Sequence, residues 1–148
     1  MKYRVAAKGL LHRDGKVLFI EYSDHRGPYY SLPGGGHEKG ESLQDTVVRE
    51  MKEEVGLDVE IGELALVREF ILEESEIEGW EQGIHQVEVV FKCMLRDESQ
   101  QAMTGELPDI GMKGIRWIEV SDLHNHIIYP TDKLKELIET GNPKYLFA

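Results

Sequence analysis

The stretch GGGHEKGESLQDTVVREMKEEVGL, residues 34–57, decides the fold of this 148-residue chain. Leu32-Pro33 keeps the backbone extended, and the glycines that follow allow positive φ and close approach of main chain to a ligand. Ser42 is suited to accept from the orphan N–H groups of a first helical turn, with Asp45 as a short-armed capping-box acid. Gly56 stands where a helix closes on a left-handed residue. Between these limits Leu43, Val47, Met51 and Val55 recur at helical spacing, the stripe of a core-facing helix.

Glu50, Glu53 and Glu54 fall on one arc of that helix, beside the apolar stripe. Like charges so close destabilise an isolated helix, and a hard divalent cation with oxygen ligands reverses the penalty. Taken alone, the three acids read better as a solvated acidic face. The spacing around them changes that reading. From Gly35 five residues lead to Glu41, seven more lead to Arg49-Glu50, and Met51, Glu53-Glu54, Gly56 and Leu57 complete the pattern. The run resembles, without a gap, the Nudix signature G-x5-E-x7-R-E-U-x-E-E-x-G-U, where U is a bulky aliphatic. The preceding Leu-Pro-Gly is similar to what Nudix hydrolases carry.

Composition bounds the alternatives. The length suits one domain, residues 1–148, with a substantial core. A net charge of −11 argues against DNA, RNA or an anionic membrane as partner. An anionic small substrate remains compatible, because a bound metal inverts the local field. No apolar run is long enough to span a bilayer, and the single Cys93 forbids an internal disulfide. These features fit a cytoplasmic protein.

Tyr3–Leu11 and Lys16–Tyr22 read as strands joined at Asp14-Gly15. Ser23–Pro28 reads as a polar loop, and Tyr29–Leu32 enters the glycine loop. Asp58–Leu72 gives one or two strands, Glu73–Gly83 a long hairpin loop, and Ile84–Arg96 a strand with Gln86 and Glu88 on one face. Asp97–Gly111 reads as irregular. Ile115–Ile118 is a short strand, Ser121–Leu123 a helical turn and Thr131–Thr140 a last helix. Zinc at His124-x-His126 with Cys93 or His85 matches no common spacing. No Gly-Lys-Ser/Thr follows the glycine loop, so it is not a P-loop.

The resemblance implies an α/β fold, an α/β/α sandwich with a mixed central sheet. It implies a pyrophosphohydrolase that cleaves a nucleoside diphosphate linked to another moiety by attack of water on phosphorus. A nucleoside triphosphate, ADP-ribose and a nucleotide sugar are all open as substrates. Glu50, Glu53, Glu54 and the Gly34 carbonyl would hold Mg²⁺ or Mn²⁺, and Arg49, Glu50 and Glu53 would form the catalytic centre. Gly35, Glu41 and Gly56 would shape the motif, with Glu41 bracing the loop–helix junction. The usual later acid falls near Gly111, which cannot serve; a motif glutamate, Glu88, Glu106 and Asp109 are the candidates for general base. Arg26, Tyr30 and Trp80 are candidate substrate contacts, although a tyrosine beside a strand and a tryptophan closing its own loop are equally ordinary. A non-catalytic nucleotide-sensing module of the same fold is the alternative, disfavoured because every motif acid is present. A calcium-binding structural role is disfavoured because the acids lie on a helix rather than in an EF-hand loop. A homodimer is compatible with the resemblance.

Overall fold

The computed structural model describes residues 1–76, 79–105 and 108–147. In chain order the strands and helices are β1 (Lys2–Arg13), β2 (Lys16–Asp24), β3 (Gly27–Ser31), β4 (Gly34–Gly36), α1 (Leu43–Val55) and β5 (Val59–Leu72). Then come β6 (Ile84–Leu95), β7 (Gly114–Glu119), a 3₁₀ turn over Val120–Asn125, β8 (Ile128–Tyr129), α2 (Leu134–Thr140) and β9 (Lys144–Phe147).

Strand β1 is the hub. Asp14 and Gly15, both at positive φ, fold it back onto β2. Its first half pairs with the short glycine strand β4, and its other edge runs parallel to β6. The sheet order is β8-β3-β2-β1-β6-β5-β9, with β4 on β1 and β7 on β2. Parallel pairs β1–β6, β3–β8 and β5–β9 among antiparallel neighbours make the sheet mixed.

Alternation along β1 sends its side chains into two cores. Ala7 and Leu11 join Val47, Met51, Val55 and Phe91 beneath α1. Leu10 joins Phe19, Leu66 and Val90 on the opposite face, under Leu123 of the 3₁₀ turn and Leu134 and Leu137 of α2. Helical structure therefore covers both faces of the sheet, as the sequence implied.

The helix α1 begins and ends where the residue types place it. Ser42 and Asp45 form a reciprocal capping box, and Gly56 adopts φ 68° at the C-cap. Other boundaries differ. Ser23–Pro28 is not a simple loop: β2 continues to Asp24 and turns at once into β3, because the Asp24 carboxylate accepts from the Arg26 N–H and Tyr22 pairs with Tyr29. The last helix starts at Leu134 rather than Thr131, where the Thr131 hydroxyl accepts from the Lys133 N–H and holds a non-helical turn. Strands β8 and β9 carry no local signal, since both depend on parallel pairing with distant strands.

Helix α1 lies on β1 at Gly9, where an added Cβ would stand 3.0 Å from Val47 Cγ1 and 3.2 Å from Cys93 Sγ. Gly9→Val should therefore lift the helix and cost about 1–3 kcal/mol. Urea denaturation checks this, and an unchanged midpoint would show that the contact has slack.

Candidate active site

The glycine loop and α1 are bound together by one guanidinium. Arg49 Nε and Nη2 donate to both oxygens of Glu41 at 3.1 and 2.9 Å, and Nη2 also donates to the Gly36 carbonyl at 3.0 Å. On its other side, Arg49 Nη1 reaches Glu50 at 2.9 Å and Glu53 at 3.3 Å. Glu41 accepts further from Thr46 Oγ1 and from the Glu38 N–H. The Arg49 guanidinium, with these donors, holds the Glu41 carboxyl down at about 2. Glu41 thus stays ionised and keeps the junction clasped.

Two glycines let the loop lie against the acids. Gly34 has φ 150°, and a Cβ there would stand 2.2 Å from the Ala7 carbonyl oxygen. At Gly35 a Cβ would stand 2.6 Å from Glu50 Oε1, so a larger residue would push that carboxylate off the loop. The Gly34 N–H donates to Glu54 Oε1 at 3.3 Å, which sets this peptide directly beside the carboxylate.

Glu54 is the unusual acid. It follows Met51 by three positions and precedes Val55, so the helix carries it into the core margin, where it is 1% exposed. Its Oε2 has no hydrogen-bond partner among the described residues. Burial, and next the neighbouring Glu50 carboxylate, push its carboxyl far above the ordinary range, while Lys8 pulls it back. Glu50 and Glu53 remain more open, with side chains 15% and 30% exposed.

These donors suit a hard cation. Three carboxylates, one of them with a buried oxygen lacking a partner among the described residues, and the adjacent Gly34 peptide form an all-oxygen set. Arg49 now sits between Glu50 and Glu53, and among the described residues no three acidic or imidazole side chains converge as a finished cage. Loading a metal would require Glu50 and Glu53 to turn from the arginine.

The wider surroundings come from several strands. Arg4 donates to Gln86 at 2.7 Å, lies against Gly36, and feels the charges of Asp109, Glu88 and Glu50. Tyr22 donates to Asp109 at 2.7 Å; burial and then the Asp109 charge raise its hydroxyl, so it remains a neutral donor. The charge of Asp109 also reaches Glu54. Glu88 is 6% exposed, with one oxygen taken by Gln86 Nε2 and the other by Arg68. It is a structural anchor rather than a free base. Glu106 lies outside the described residues.

The three suggested substrate contacts separate. Arg26 is paired with Asp24 at 2.7 Å and lies over the Tyr29 and Tyr129 rings. Trp80 packs on cations of its own chain, 4.9 Å from Arg4 and 5.8 Å from Lys2. Tyr30 is not placed to touch a substrate: it is 2% exposed, in the core beneath α2, with its hydroxyl accepting from Arg116 at 2.8 Å. Tyr29, the neighbour of opposite facing, is half-buried. Arg4, Arg68, Tyr22 and Tyr129 were not singled out by the sequence. The alternation of Arg68 and Glu88 with apolar neighbours on adjacent strands was a signal for buried polar groups, but not for their convergence.

A glycine loop clasped to an acidic helix on a mixed sheet is an arrangement that known proteins share. The NUDIX domain model matches residues 2–138. The nucleoside triphosphatase NudI of Salmonella agona (strain SL483) is 27% identical over 99 residues, covering 64% of this chain and 70% of that protein. A Nudix hydrolase structure from Nitrosomonas europaea superposes with TM-score 0.69 at 21% identity, over all (100%) of this chain and 81% of that one. An ADP-ribose pyrophosphatase from Streptococcus suis 89-1591 superposes with TM-score 0.63 at 20% identity, over 98% of each chain. The chain belongs to the Nudix family of hydrolases. Among the described residues no helix is long and apolar enough to cross a membrane.

The raised Glu54 carboxyl has a consequence for stability. Without metal the folded protein keeps a proton that the unfolded chain has already released at neutral pH, so stability falls as pH rises from the carboxylate range through neutrality. In chelator, the melting temperature should drop between about pH 5.5 and about pH 8.5, and Glu54→Gln should flatten that drop and be the more stable protein at the upper end. Parallel curves for the two proteins would show that Glu54 is not the buried acid responsible.

Proposed function

We propose that the chain is a single Nudix domain, acting in the cytoplasm, that hydrolyses a phosphoanhydride of a nucleoside diphosphate derivative with Mg²⁺ or Mn²⁺. The observation that carries this reading is the intact set of motif acids, with Glu54 Oε2 buried and unpartnered beside Gly34. Burying that polar oxygen without a partner costs stability, a cost that a bound metal would offset. The substrate classes in the names of the similar proteins, nucleoside triphosphates and ADP-ribose, support a nucleotide anhydride.

Glu50, Glu53, Glu54 and the Gly34 carbonyl would hold the metal. When bound, it would offset diphosphate charge and lower the pKa of the attacking water. Arg49 positions Glu50 and Glu53 from behind and touches no substrate in this reading. Arg4, which lies against Gly36, would balance phosphate charge that extends past the loop. In this reading Asp109, an exposed acid whose two oxygens accept from the Tyr22 hydroxyl and the Ile110 N–H, would take the proton of the attacking water. The water oxygen bonds to phosphorus, the bridging P–O bond breaks, and the leaving phosphate carries the electron pair away.

The test is turnover on a panel of nucleoside triphosphates, ADP-ribose and nucleotide sugars with each metal. Glu53→Gln and Glu54→Gln should lower kcat/KM by roughly 100-fold or more, the scale of losing a metal's electrostatic stabilisation. Arg49→Lys should fall by about 10- to 100-fold through misplaced acids. Asp109→Asn should lower kcat by about 100-fold or more and leave KM unchanged. Nucleotide binding without turnover by wild type would overturn the hydrolase reading, and full activity of Asp109→Asn would return the base to a motif glutamate.

A further inference from the structure

Although the chain is strongly acidic, arginines gather over aromatic rings on the sheet surface next to the glycine loop. The Arg68 guanidinium lies 4.4 Å from the Phe70 ring centroid and 5.5 Å from that of Tyr129. Arg26 lies 5.9 Å from Tyr29 and 6.0 Å from Tyr129, and the two tyrosines meet edge to face at 5.7 Å. Four elements supply these side chains: β3, the β2–β3 turn, β5 and β8.

Two observations separate this group from ordinary packing. The first is Arg68 itself. Its Nη1 donates to the buried Glu88 carboxylate at 3.2 Å, but its Nε is buried with no partner among the described residues. A fold selected for stability alone would satisfy that donor or replace the pair with apolar side chains. The second is the connection to the reacting end. The Leu32 N–H donates to the Tyr129 carbonyl at 3.2 Å, two residues before Gly34, and Tyr29 stacks at 5.5 Å on Tyr22, which holds Asp109. The shelf is therefore fixed to both sides of the proposed cleavage centre.

Flat rings and guanidinium planes beside a phosphate-binding loop match one ligand chemistry: an aromatic heterocycle joined to phosphates. We propose that Tyr29, Tyr129, Phe70 and Arg68, with Arg26 at the rim, form the subsite for the base of the nucleoside diphosphate derivative, and that Arg68 donates to an acceptor on the ring. This rests on the hydrolase reading for the phosphate end and adds the determinant of the base end. Recognition then comes from stacking and one donor. Glu88, braced by Gln86 Nε2 on its other oxygen, fixes Arg68 in place and does not read the base.

Calorimetric titration in chelator tests the subsite without turnover, with ADP, GDP, CDP, UDP and inorganic pyrophosphate as probes. At least one nucleoside diphosphate should bind wild type about 10-fold or more tightly than pyrophosphate, the scale of one base–aromatic stack. Phe70→Leu and Tyr29→Leu should each remove most of that advantage. Arg68→Lys, which keeps the charge on Glu88 but loses the planar donor, should do the same, with melting temperatures confirming that all three variants fold. Equal binding of pyrophosphate and every nucleoside diphosphate, or variants that bind as wild type does, would overturn the proposal. Base-dependent binding with no turnover of any panel substrate would sink the hydrolase reading and leave the subsite standing. Turnover with KM unchanged in the three variants would do the reverse.

Discussion

The clasp between Arg49 and Glu41 is the interaction on which the site depends. Without it the glycine loop and the carboxylate helix would keep only lone links such as Gly34 N–H to Glu54 and Thr46 to Glu41. With it, one planar cation fixes the loop carbonyl of Gly36, the loop acid Glu41 and the helix acids Glu50 and Glu53 in a single geometry. A lysine offers a point charge where this junction uses a fork. Because Glu41 is held ionised by the same cation, the clasp survives well below neutral pH, and the acids keep a defined place before any metal arrives.

The buried Glu54 supplies the opposing tendency. Helix geometry drives a carboxylate into the edge of the core, against burial and against its neighbour Glu50. The fold tolerates this because α1 is over-determined: its cap, its apolar stripe, its left-handed terminator and the glycine it rests upon all agree. Strain at one position is carried by consistency at the others.

What was legible in the sequence follows the range of the forces involved. The limits of α1, its capping box, the Asp14-Gly15 turn and the alternation of β6 are local, and residue types specify them directly. The motif acids could be placed on one helical face by spacing alone. By contrast, the β9 edge and the late start of α2 depend on contacts formed only when the sheet assembles. Tyr29 and Tyr30 show the same limit on a smaller scale. Adjacent and chemically identical, they point to opposite faces of one strand, and only the register with β2 and β8 decides which is buried.

The loop–helix unit is one contiguous stretch of chain, but the aromatic–arginine shelf is assembled from residues scattered over four elements. A single substitution in the first disturbs several partners at once. One in the second changes a single wall residue and leaves the motif acids and their clasp untouched. Such a scaffold can diverge in what it accepts while its chemistry stays frozen. A lineage built this way would change diet by accumulating isolated replacements along strand surfaces, and family membership would foretell the bond broken far better than the molecule that contains it.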